Sequence, residues 1–294
     1  MATLEILKCG LLDSIQDGGR KGYAHLGIPP SGPMDIYSYR LANKILQQSE
    51  ATPVLEMHFP AATILFRKDC SIVLTGADFG AMLEQTTLDL ATVIQVKAGS
   101  TLTFTQKKSG ARVYLGIKGK WQLPTYLQSV CYDSSLSKAG ITLNQPTKGS
   151  SIDIETQAAE SLSYPDKNIT LNHLIRYVPN SDFNFTPPLF QATIQADSNR
   201  MGYRLEAPPI ILPSQTHYSR GVQMGSIQVL PNGQCVILMA DHGTTGGYPI
   251  LGHVITADLP LLAQLSPLSS FTLLPCSMET AQRAHFEMEK RLEL

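Results

Sequence analysis

The stretch SIQVLPNGQCVILM, residues 226–239, indicates the fold class most directly. Two apolar runs, 226–230 and 235–239, flank the tetrapeptide PNGQ, residues 231–234. Asn-Gly between apolar runs predicts a β-hairpin, because both residues tolerate the positive φ of a tight turn. The segment therefore predicts two antiparallel strands.

Similar short strands are predicted in the first half of the chain. They are rich in Thr, Val, Ile and Leu and are separated by turn residues, a spacing typical of β-sandwiches and β-barrels. They span residues 63–66, 71–75, 92–96, 101–105 and 112–117. Helices are predicted at 34–48, at 258–264 with Asp258 as N-cap and Pro260 in the first turn, and at 277–292 with Ser277 as N-cap. The predicted fold class is mainly β with a few short helices.

Two internal echoes predict a duplicated β-domain. DGGRKGY at 17–23 and DSNRMGY at 197–203 share the pattern Asp-x-x-Arg-x-Gly-Tyr, and ADFG at 77–80 is echoed by ADHG at 240–243. Both echoes occur in the same order, which chance matching seldom produces.

The length of 294 residues suits two domains of ordinary size. We expect the junction in the polar, aperiodic stretch 155–170. The predicted domains are therefore 1–160 and 161–294, the second carrying the terminal helix.

Composition excludes several classes of protein. The 23 basic and 24 acidic residues leave a net charge of -1, so we expect no nucleic-acid partner. No apolar stretch approaches the roughly 20 residues that span a bilayer, and Glu5 and Lys8 argue against a signal peptide. Charged residues make up only 16% of the chain, which fits either a surface packed against another protein or an uncharged surface rich in Ser, Thr and Gln.

The five cysteines are odd in number, far apart and without a Cys-x-x-Cys motif. This pattern predicts reduced thiols in a cytoplasmic protein. No metal-binding motif occurs, so no metal is expected.

The densest candidate site is MADHGTTGGYP, residues 239–249. Consecutive glycines and threonines can direct N–H and O–H groups at one oxyanion, and an Asp-His pair can transfer protons. The alternatives are a structural turn and, for the histidine, a solvated loop position. The candidate catalytic residues are Asp241, His242, Thr244, Thr245 and Tyr248, and the candidate substrate-binding glycines are Gly246 and Gly247.

Arginine-containing turns are candidate anion sites in both halves. Arg20 can bind a carboxylate or phosphate, with Asp17 orienting its guanidinium. In the extended stretch 198–206, Arg204 and Glu206 share a face that Arg200 joins. Each arginine is a candidate substrate ligand, and a structural charge pair is the alternative in each case.

The rigid loop IPPSGPMD, residues 28–35, leads into the first helix. One hypothesis is that an anion docks at the N-terminus of that helix. The alternative is that Ser31 or Asp35 simply caps the helix. No P-loop, no Gly-x-Ser-x-Gly elbow and no biotin-accepting Met-Lys-Met occurs. We therefore expect chemistry to depend on positioned donors and on groups of a partner.

The chain resembles the allophanate hydrolase subunit 2 (KipA-type) family, also called the biotin-dependent carboxyltransferase family. The family includes the C subunit of 5-oxoprolinase and part of the urea carboxylase carboxyltransferase domain. Of these two branches, the chain resembles the 5-oxoprolinase C subunit more. The resemblance covers about residues 4–275. The segments that carry it are 16–46, 198–210, 225–249 and 254–265.

This resemblance implies a tandem of two related cyclophilin-like β-barrel domains. It implies a KipI-type B subunit as partner, an A subunit, and ATP shared with those partners to open the lactam 5-oxoproline to L-glutamate. Biotin is expected as a cofactor only by analogy with other members of the family. Among the positions that match the family, Tyr203 is a candidate substrate-binding residue, and the candidate supporting residues are Gln16, Asp17, Ser31, Asp35 and Gln228.

Some positions depart from the family pattern. His242-Gly243 replaces the usual pair before Thr-Thr, and Arg220 reverses the charge of a usual glutamate. Gly119-Lys120 replaces Gly-Gly, and Gly149-Ser150 replaces Gly-Asp. These departures leave open which amide is the substrate.

The first hypothesis is a component of an ATP-dependent 5-oxoprolinase that is inactive without its partners. The length of the chain favours this hypothesis over urea carboxylase, in which we expect the corresponding region to be part of a much longer chain. The alternatives are a urea or allophanate carboxyltransferase or amidolyase component and a regulatory protein that binds the KipI-type partner. Peptidyl-prolyl isomerisation, suggested by the barrel alone, is the weakest, because a fold does not define a function.

Overall fold

The computed structural model describes residues 3–141, 144–165, 168, 170–180, 188–211 and 219–293. The described residues form two compact units. The first unit contains those of 3–20 and 35–170, and the second contains those of 21–34 and 171–293. The segment 21–34 thus groups with the second unit, while the domain boundary between residues 160 and 161 stays a prediction.

The first unit is built from strands and two helices. Its strands are β1 (Leu4–Lys8), β2 (Ser14–Gln16), β3 (Val54–Met57), β4 (Thr63–Phe66), β5 (Cys70–Asp78), β6 (Ala81–Leu83), β7 (Thr86–Thr87), β8 (Ile94–Val96), β9 (Thr101–Phe104), β10 (Ser109–Ile117), β11 (Gly119–Gln122) and β12 (Ser151–Thr156). Its helices are α1 (Ile36–Ile45) and α2 (Ser134–Lys138).

These strands pair in two sheets. One has the order β11-β12-β1-β4-β9-β6-β7, and the other has the order β2-β3-β10-β5-β8. The long strands β5 and β10 are antiparallel and almost wholly buried, because α1 covers one face. A methyl group at Gly116 of β10 would lie 3.0 Å from the Leu46 side chain, so glycine lets the chain after α1 approach the sheet closely.

The second unit contains a closed barrel. Its strands are β13 (Leu174–Pro179), β14 (Phe190–Ile194), β15 (Gly202–Glu206), β16 (Arg220–Gly221), β17 (Ser226–Val229), β18 (Cys235–Leu238), β19 (Thr245–Gly246), β20 (Ile250–Val254) and β21 (Ser270–Pro275). Its helices are α3 (Leu259–Ala263) and α4 (Met278–Arg291), and short 3-10 helices span Ala24–Leu26 and Thr256–Asp258.

Within the described residues, the barrel closes in the order β13-β20-β17-β18-β15-β14-β21, and β16 and β19 form a separate pair. Closure leaves no exposed sheet edge among the barrel strands. The mainly β fold class with few short helices is therefore confirmed, with the closed barrel in the second unit and two sheets in the first.

The predicted hairpin is confirmed as β17 and β18. Ile227 pairs with Ile237, and Val229 pairs with Cys235. Gly233 lies at a φ of 82°, so the glycine of the Asn-Gly pair supplies the left-handed residue of the turn.

The predicted helices are confirmed with shorter bounds. Ser277 caps α4 by accepting a hydrogen bond from the Thr280 amide. Asp258 holds the N-cap position of α3, but its side chain makes no capping bond. Its carboxylate instead accepts two hydrogen bonds from the Arg176 guanidinium, at 2.9 and 2.7 Å, so an ion pair replaces the predicted cap.

Candidate functional site

The Arg200–Asp241 ion pair anchors the loop after β18. Arg200 Nε and Nη2 donate to the two carboxylate oxygens of Asp241 at 2.8 and 3.0 Å, and the Asp241 amide donates to the Arg200 carbonyl at 2.8 Å. The side chains are 15% and 3% exposed. The second copies of the two internal echoes thus meet here, and the Asp241 oxygens are bound by a guanidinium.

The loop of residues 28–34 is tied to the same arginine. Arg200 Nη2 also donates to the Gly32 carbonyl at 2.6 Å. Met34 is fully buried in the barrel core. Ser31 lies on this loop with a φ of 54°, a left-handed conformation that is uncommon for serine.

Asp35 caps α1. Its carboxylate accepts hydrogen bonds from the Ser38 amide at 2.8 Å and the Ser38 hydroxyl at 2.6 Å, and the residue is fully buried. Of the two expectations for this loop, capping by Asp35 therefore describes the structure.

His242 is buried rather than solvated, with 3% of its surface exposed. Its Nδ1 lies 2.6 Å from the Gly243 carbonyl oxygen. A carbonyl only accepts, so Nδ1 carries a proton and donates, which leaves Nε2 as the other ring nitrogen. The solvated loop position is therefore excluded.

The segment 244–248 forms the exposed rim of the second unit's candidate site. Thr245 and Gly246 form β19, which pairs antiparallel with β16. The Val222 amide donates to the Thr244 carbonyl at 3.1 Å. Thr245 and Tyr248 are exposed, Tyr248 by 45%. The loop is thus a backbone-paired turn that presents a hydroxyl and an aromatic ring to solvent.

Gln228 supports this loop from within the barrel. It lies on β17 and is 7% exposed. A methyl group at Gly246 would lie 2.3 Å from Gln228 Nε2 and 3.2 Å from Val222 Cγ1. A side chain at 246 would displace the Gln228 amide, so Gln228 packs against this loop, and its supporting role in the site stays a prediction.

Arg204 and Tyr203 lie on β15 and point to opposite faces. Arg204 is exposed and pairs with Asp197 at 3.4 Å. Tyr203 is 3% exposed and belongs to the barrel core. Arg200 is held by Asp241 and therefore does not join Arg204 and Glu206 in the expected cluster.

In the first unit, Asp17 organises a separate buried cluster. Its Oδ1 accepts hydrogen bonds from the Gly19 amide at 2.9 Å, the Ser129 hydroxyl at 2.7 Å and the Cys131 thiol at 3.0 Å. Its Oδ2 accepts one from the Val130 amide at 2.8 Å. Burial first, and then the Asp17 charge, raise the pKa of Cys131 to about 12, so the thiol stays protonated and donates.

Arg20 is 1% exposed and donates through Nη2 to the Cys131 carbonyl. Within the described residues, its Nε and Nη1 have no hydrogen-bond partner, and neither does Gln16 Oε1. The two copies of the echo therefore differ. Arg200 is paired with Asp241, whereas Asp78, the counterpart of Asp241, lies 3.4 Å from Lys108.

Sequence reasoning missed a polar cavity of about 370 Å³ beside β16. It is lined by Arg220 and His253 together with the side-chain amides of Asn180 and Gln223. No local sequence pattern marks it, because its walls come from segments far apart in the chain.

In the part of the chain that the structure describes, no three His, Cys, Asp or Glu side chains come together in a way that would hold a metal ion. Among the same residues, no helix combines the length and apolarity needed to cross a membrane.

The fold is that of a carboxyltransferase-type β-protein. Residues 26–274 match the family described as carboxyltransferase domain, subdomain A and B, and the chain belongs to this family.

The relatives of the chain are of two kinds. It is 30% identical to the C subunit of 5-oxoprolinase from Escherichia coli (strain K12) and 32% identical to that from Haemophilus influenzae, in each case over 99% of this chain and 96% of the relative. It is 31% identical to urea amidolyase of Saccharomyces cerevisiae, over 95% of this chain and 17% of that protein.

A solved structure confirms the fold. The Kluyveromyces lactis urea amidolyase superposes with a TM-score of 0.85 over 99% of this chain, at 23% identity. This chain spans 20% of that protein's length. The family expected from the sequence motifs is confirmed by the match over residues 26–274 and by the 30% and 32% identities to the two C subunits.

Proposed function

We propose that this chain is the C-type component of an ATP-dependent 5-oxoprolinase, which opens 5-oxoproline to L-glutamate together with a KipI-type B subunit and an A subunit. The observation that carries the proposal is the 30–32% identity to the C subunits of two 5-oxoprolinases over nearly the full length of both chains. The geometry of the 239–249 loop supports it, because the loop offers donors, an acceptor and a fixed anchor.

The hydroxyls of Thr244 and Thr245 donate to the oxygen that gains negative charge as the lactam carbonyl is activated. The β16–β19 pairing and the Gln228 amide under Gly246 hold this loop before substrate arrives. Preorganised donors of this kind stabilise a transition state more than they stabilise the substrate. Tyr248, 45% exposed, covers the substrate ring from the rim.

Proton transfer falls to His242. Its Nδ1 donates to the Gly243 carbonyl, so Nε2 is the ring nitrogen that accepts a proton during the reaction. Asp241 binds Arg200 through both oxygens and holds the loop rather than moving a proton. Arg20, Arg200 and Arg204 remain proposed substrate ligands. Arg200 and Arg204 carry carboxylate partners within the chain, while Arg20 donates to a carbonyl.

When bound, ATP would supply the phosphoryl group that activates the lactam oxygen. The hydroxyl donors of Thr244 and Thr245 fit an anionic phosphoryl oxygen, and they are the residues of this chain that would hold it. Biotin belongs to the carboxyltransferase alternative.

The test is glutamate formation by the chain with its B-type and A-type partners, ATP and 5-oxoproline. Thr244→Val with Thr245→Val should lower kcat by 10²-fold or more, the order of magnitude for lost oxyanion donors. The matched control is Thr86→Val with Thr87→Val, an exposed Thr-Thr pair on the two-residue strand β7. Wild-type turnover by the first double variant would remove the loop from the mechanism.

A urea or allophanate carboxyltransferase is the second candidate, favoured by the 31% identity to yeast urea amidolyase. Carboxylation of urea by a biotin-carrying partner, without glutamate formation from 5-oxoproline, would replace the first proposal with this one. A stable complex that turns over neither substrate would instead favour regulatory binding of the KipI-type partner.

A further inference from the structure

The first unit has a polar cavity of its own, of about 370 Å³, beside β11. Its walls come from the segment after α1, from β11 and from the residue that follows β12. Its polar side chains are those of Gln48, Ser49, Thr52, Lys120, Trp121 and Gln157. The volume falls in the range of ligand pockets, and none of these residues belongs to the 239–249 loop.

Hydrogen bonds within the first unit hold the two main walls of this cavity together. The Gly119 amide of β11 donates to Gln48 Oε1 at 3.3 Å, and Gln48 Nε2 donates to Asn43 Oδ1 at 2.8 Å. Asn43 Nδ2 in turn donates to the Thr52 carbonyl at 2.9 Å. The cavity is therefore formed by contacts of the chain itself and needs no ligand to shape it.

The cavity lies along the open edge of β11, the outermost strand of its sheet. Ile154 of β12 pairs opposite Trp121. The Ile154 amide donates to the Thr3 hydroxyl at 3.0 Å, and that hydroxyl donates to the Ile154 carbonyl at 2.8 Å. Paired residues of antiparallel strands alternate between bonded and non-bonded positions, so the amide and the carbonyl of Trp121 face the open edge.

The side chain of Trp121 adds a buried donor. The residue is 8% exposed and belongs to the apolar core of the first unit. Within the described residues, its indole Nε1 has no hydrogen-bond partner. Buried donors are nearly always paired, and an indole N–H only donates, so this group favours an acceptor in the cavity that Trp121 lines.

Lys120 gives the cavity a positive charge. It is exposed and takes part in none of the ion pairs that the described residues form. Glu155 lies opposite on β12, and its carboxylate accepts a hydrogen bond from Gln122 Nε2 at 3.0 Å. No Asp or Glu of the described residues lines the cavity. Because the family pattern has glycine in place of Lys120, this charge distinguishes the chain from the family.

These groups favour a phosphate over a carboxylate. Ser49 Oγ accepts a hydrogen bond from the Ala51 amide at 3.2 Å, which leaves its own proton to donate. Lysine binds phosphate as a point charge, whereas a planar carboxylate is better matched by the fork of an arginine. The Trp121 carbonyl at the same edge needs a donor, and a phosphate that keeps a proton supplies one.

We propose that the cavity beside β11 binds a protonated phosphate group, either as inorganic phosphate or as the end of a small phosphate monoester. Lys120, Ser49 and the N–H groups of Trp121 donate to its oxygens, and the Trp121 carbonyl accepts from its O–H. The body of a monoester lies against Ala51 and Pro53, which also line the cavity. This site goes beyond the proposed function and does not depend on it.

The chain carries a built-in probe, because Trp121 is its only tryptophan. The indole N–H of the ¹⁵N-labelled full chain gives a single resonance that reports on the cavity. Inorganic phosphate, added at neutral pH and constant ionic strength, should move this resonance to lower field and saturate. Glycerol 3-phosphate is the second arm, and the tighter of the two ligands identifies the source of the phosphate group. A resonance that neither ligand moves overturns the proposal.

Sulfate tests the role of the ligand proton. It shares the tetrahedral shape of phosphate but carries no proton at neutral pH, so it cannot donate to the Trp121 carbonyl. Phosphate should therefore bind about tenfold tighter than sulfate. Equal affinities for the two anions would contradict the assignment of a protonated phosphate.

Variants of the two walls test the donors. Lys120→Gln should weaken phosphate binding about tenfold, and Lys120→Arg should retain most of it. Ser49→Ala on the other wall should weaken binding about fivefold. The matched control is Lys148→Gln, an exposed lysine of the same unit that does not line the cavity. Wild-type affinity in both Lys120→Gln and Ser49→Ala would refute the site.

Thermal unfolding gives an independent readout. Without ligand, Lys120→Gln should unfold at the wild-type Tm, because Lys120 is exposed and unpaired. Phosphate should raise the Tm of the wild type and of Lys148→Gln, since a ligand stabilises the state that binds it. An equal rise in Lys120→Gln would show that phosphate acts elsewhere on the chain and would overturn the proposal.

Discussion

Arg200 and Asp241 form the best-satisfied charged pair of the candidate site, with both carboxylate oxygens bound by the guanidinium. Removing one partner of a buried pair leaves an uncompensated charge. Arg200→Gln should therefore lower the free energy of unfolding by about 3 kcal/mol. Urea denaturation measures this loss.

The matched control for that measurement is Arg204→Gln. Arg204 is also paired with an aspartate, but the side chains of Arg204 and Asp197 are 46% and 67% exposed. Solvent screening makes such pairs worth less than about 1 kcal/mol. Equal losses in the two variants would show that burial of the Arg200–Asp241 pair has no energetic consequence.

Asp13 should make the free energy of unfolding depend on pH with a sign opposite to that usual for carboxylates. Burial raises its pKa to about 6, against a hydrogen bond from the Gly10 amide that lowers it. The folded state therefore holds the proton more tightly than the unfolded state, so this group's contribution to stability is lost as pH rises from about 4 to 6.

Asp13→Asn isolates that contribution. The variant minus wild-type difference in unfolding free energy should grow by up to about 3 kcal/mol between pH 4 and pH 7. A difference that stays constant over this interval would show that Asp13 titrates normally in the folded chain.

At the scale of elements, β19 depends on the space left by one glycine. Gly246→Ala places a methyl group against Gln228 Nε2, whereas the same change at Gly247 meets no atom within 4 Å. Gly246→Ala should therefore lower Tm by a few degrees, and Gly247→Ala should not. Calorimetric scans of both variants decide this, and an equal Tm for the two would show that Gln228 does not pack against Gly246.

Helix α1 depends on its cap. Asp35→Ala removes two hydrogen bonds at a fully buried N-terminus and should cost about 2 kcal/mol. Ser277→Ala at the exposed end of α4 removes one capping bond to an amide and should cost about half as much. Denaturant midpoints with an unchanged slope test the comparison, and a larger loss at Ser277 would contradict it.

Local patterns predict the elements well. The strand Thr63–Phe66 has the expected bounds, and the two strands of the predicted hairpin each end one residue earlier than expected, because turn chemistry and apolar runs are local signals. Asp258 illustrates the limit. Its position as a cap is local, but its partner Arg176 is 82 residues away in sequence, and the ion pair takes over the carboxylate.

The candidate site divides in the same way. The echo of Asp-x-x-Arg in both halves identifies Arg200, and the second echo identifies Asp241, although their pairing needs the fold. The cavity beside β16 has no local pattern, because its walls come from residues on or just after β13, β16 and β20. These residues are far apart in sequence and come together only in the folded unit.

At the scale of the whole molecule, thiol accessibility gives a global check. Burial raises the pKa of Cys70 and Cys235 to about 12, as it does for Cys131, whereas Cys9 and Cys276 are partly exposed. Iodoacetamide should modify Cys9 and Cys276 in the native chain, and all five cysteines only after denaturation. Mass spectrometry counts the adducts, and rapid native modification of Cys131 would contradict the buried cluster.

The grouping of residues 21–34 with the second unit has a genetic consequence. A gene fragment that encodes residues 161–294 omits the carbonyl of Gly32, which receives Arg200, and the side chain of Met34, which fills the barrel. If relatives exchanged only their C-terminal halves, each barrel would therefore be combined with residues 21–34 of another protein. Recombination within this family should give folded proteins only when residues 21–34 and the C-terminal half come from the same parent.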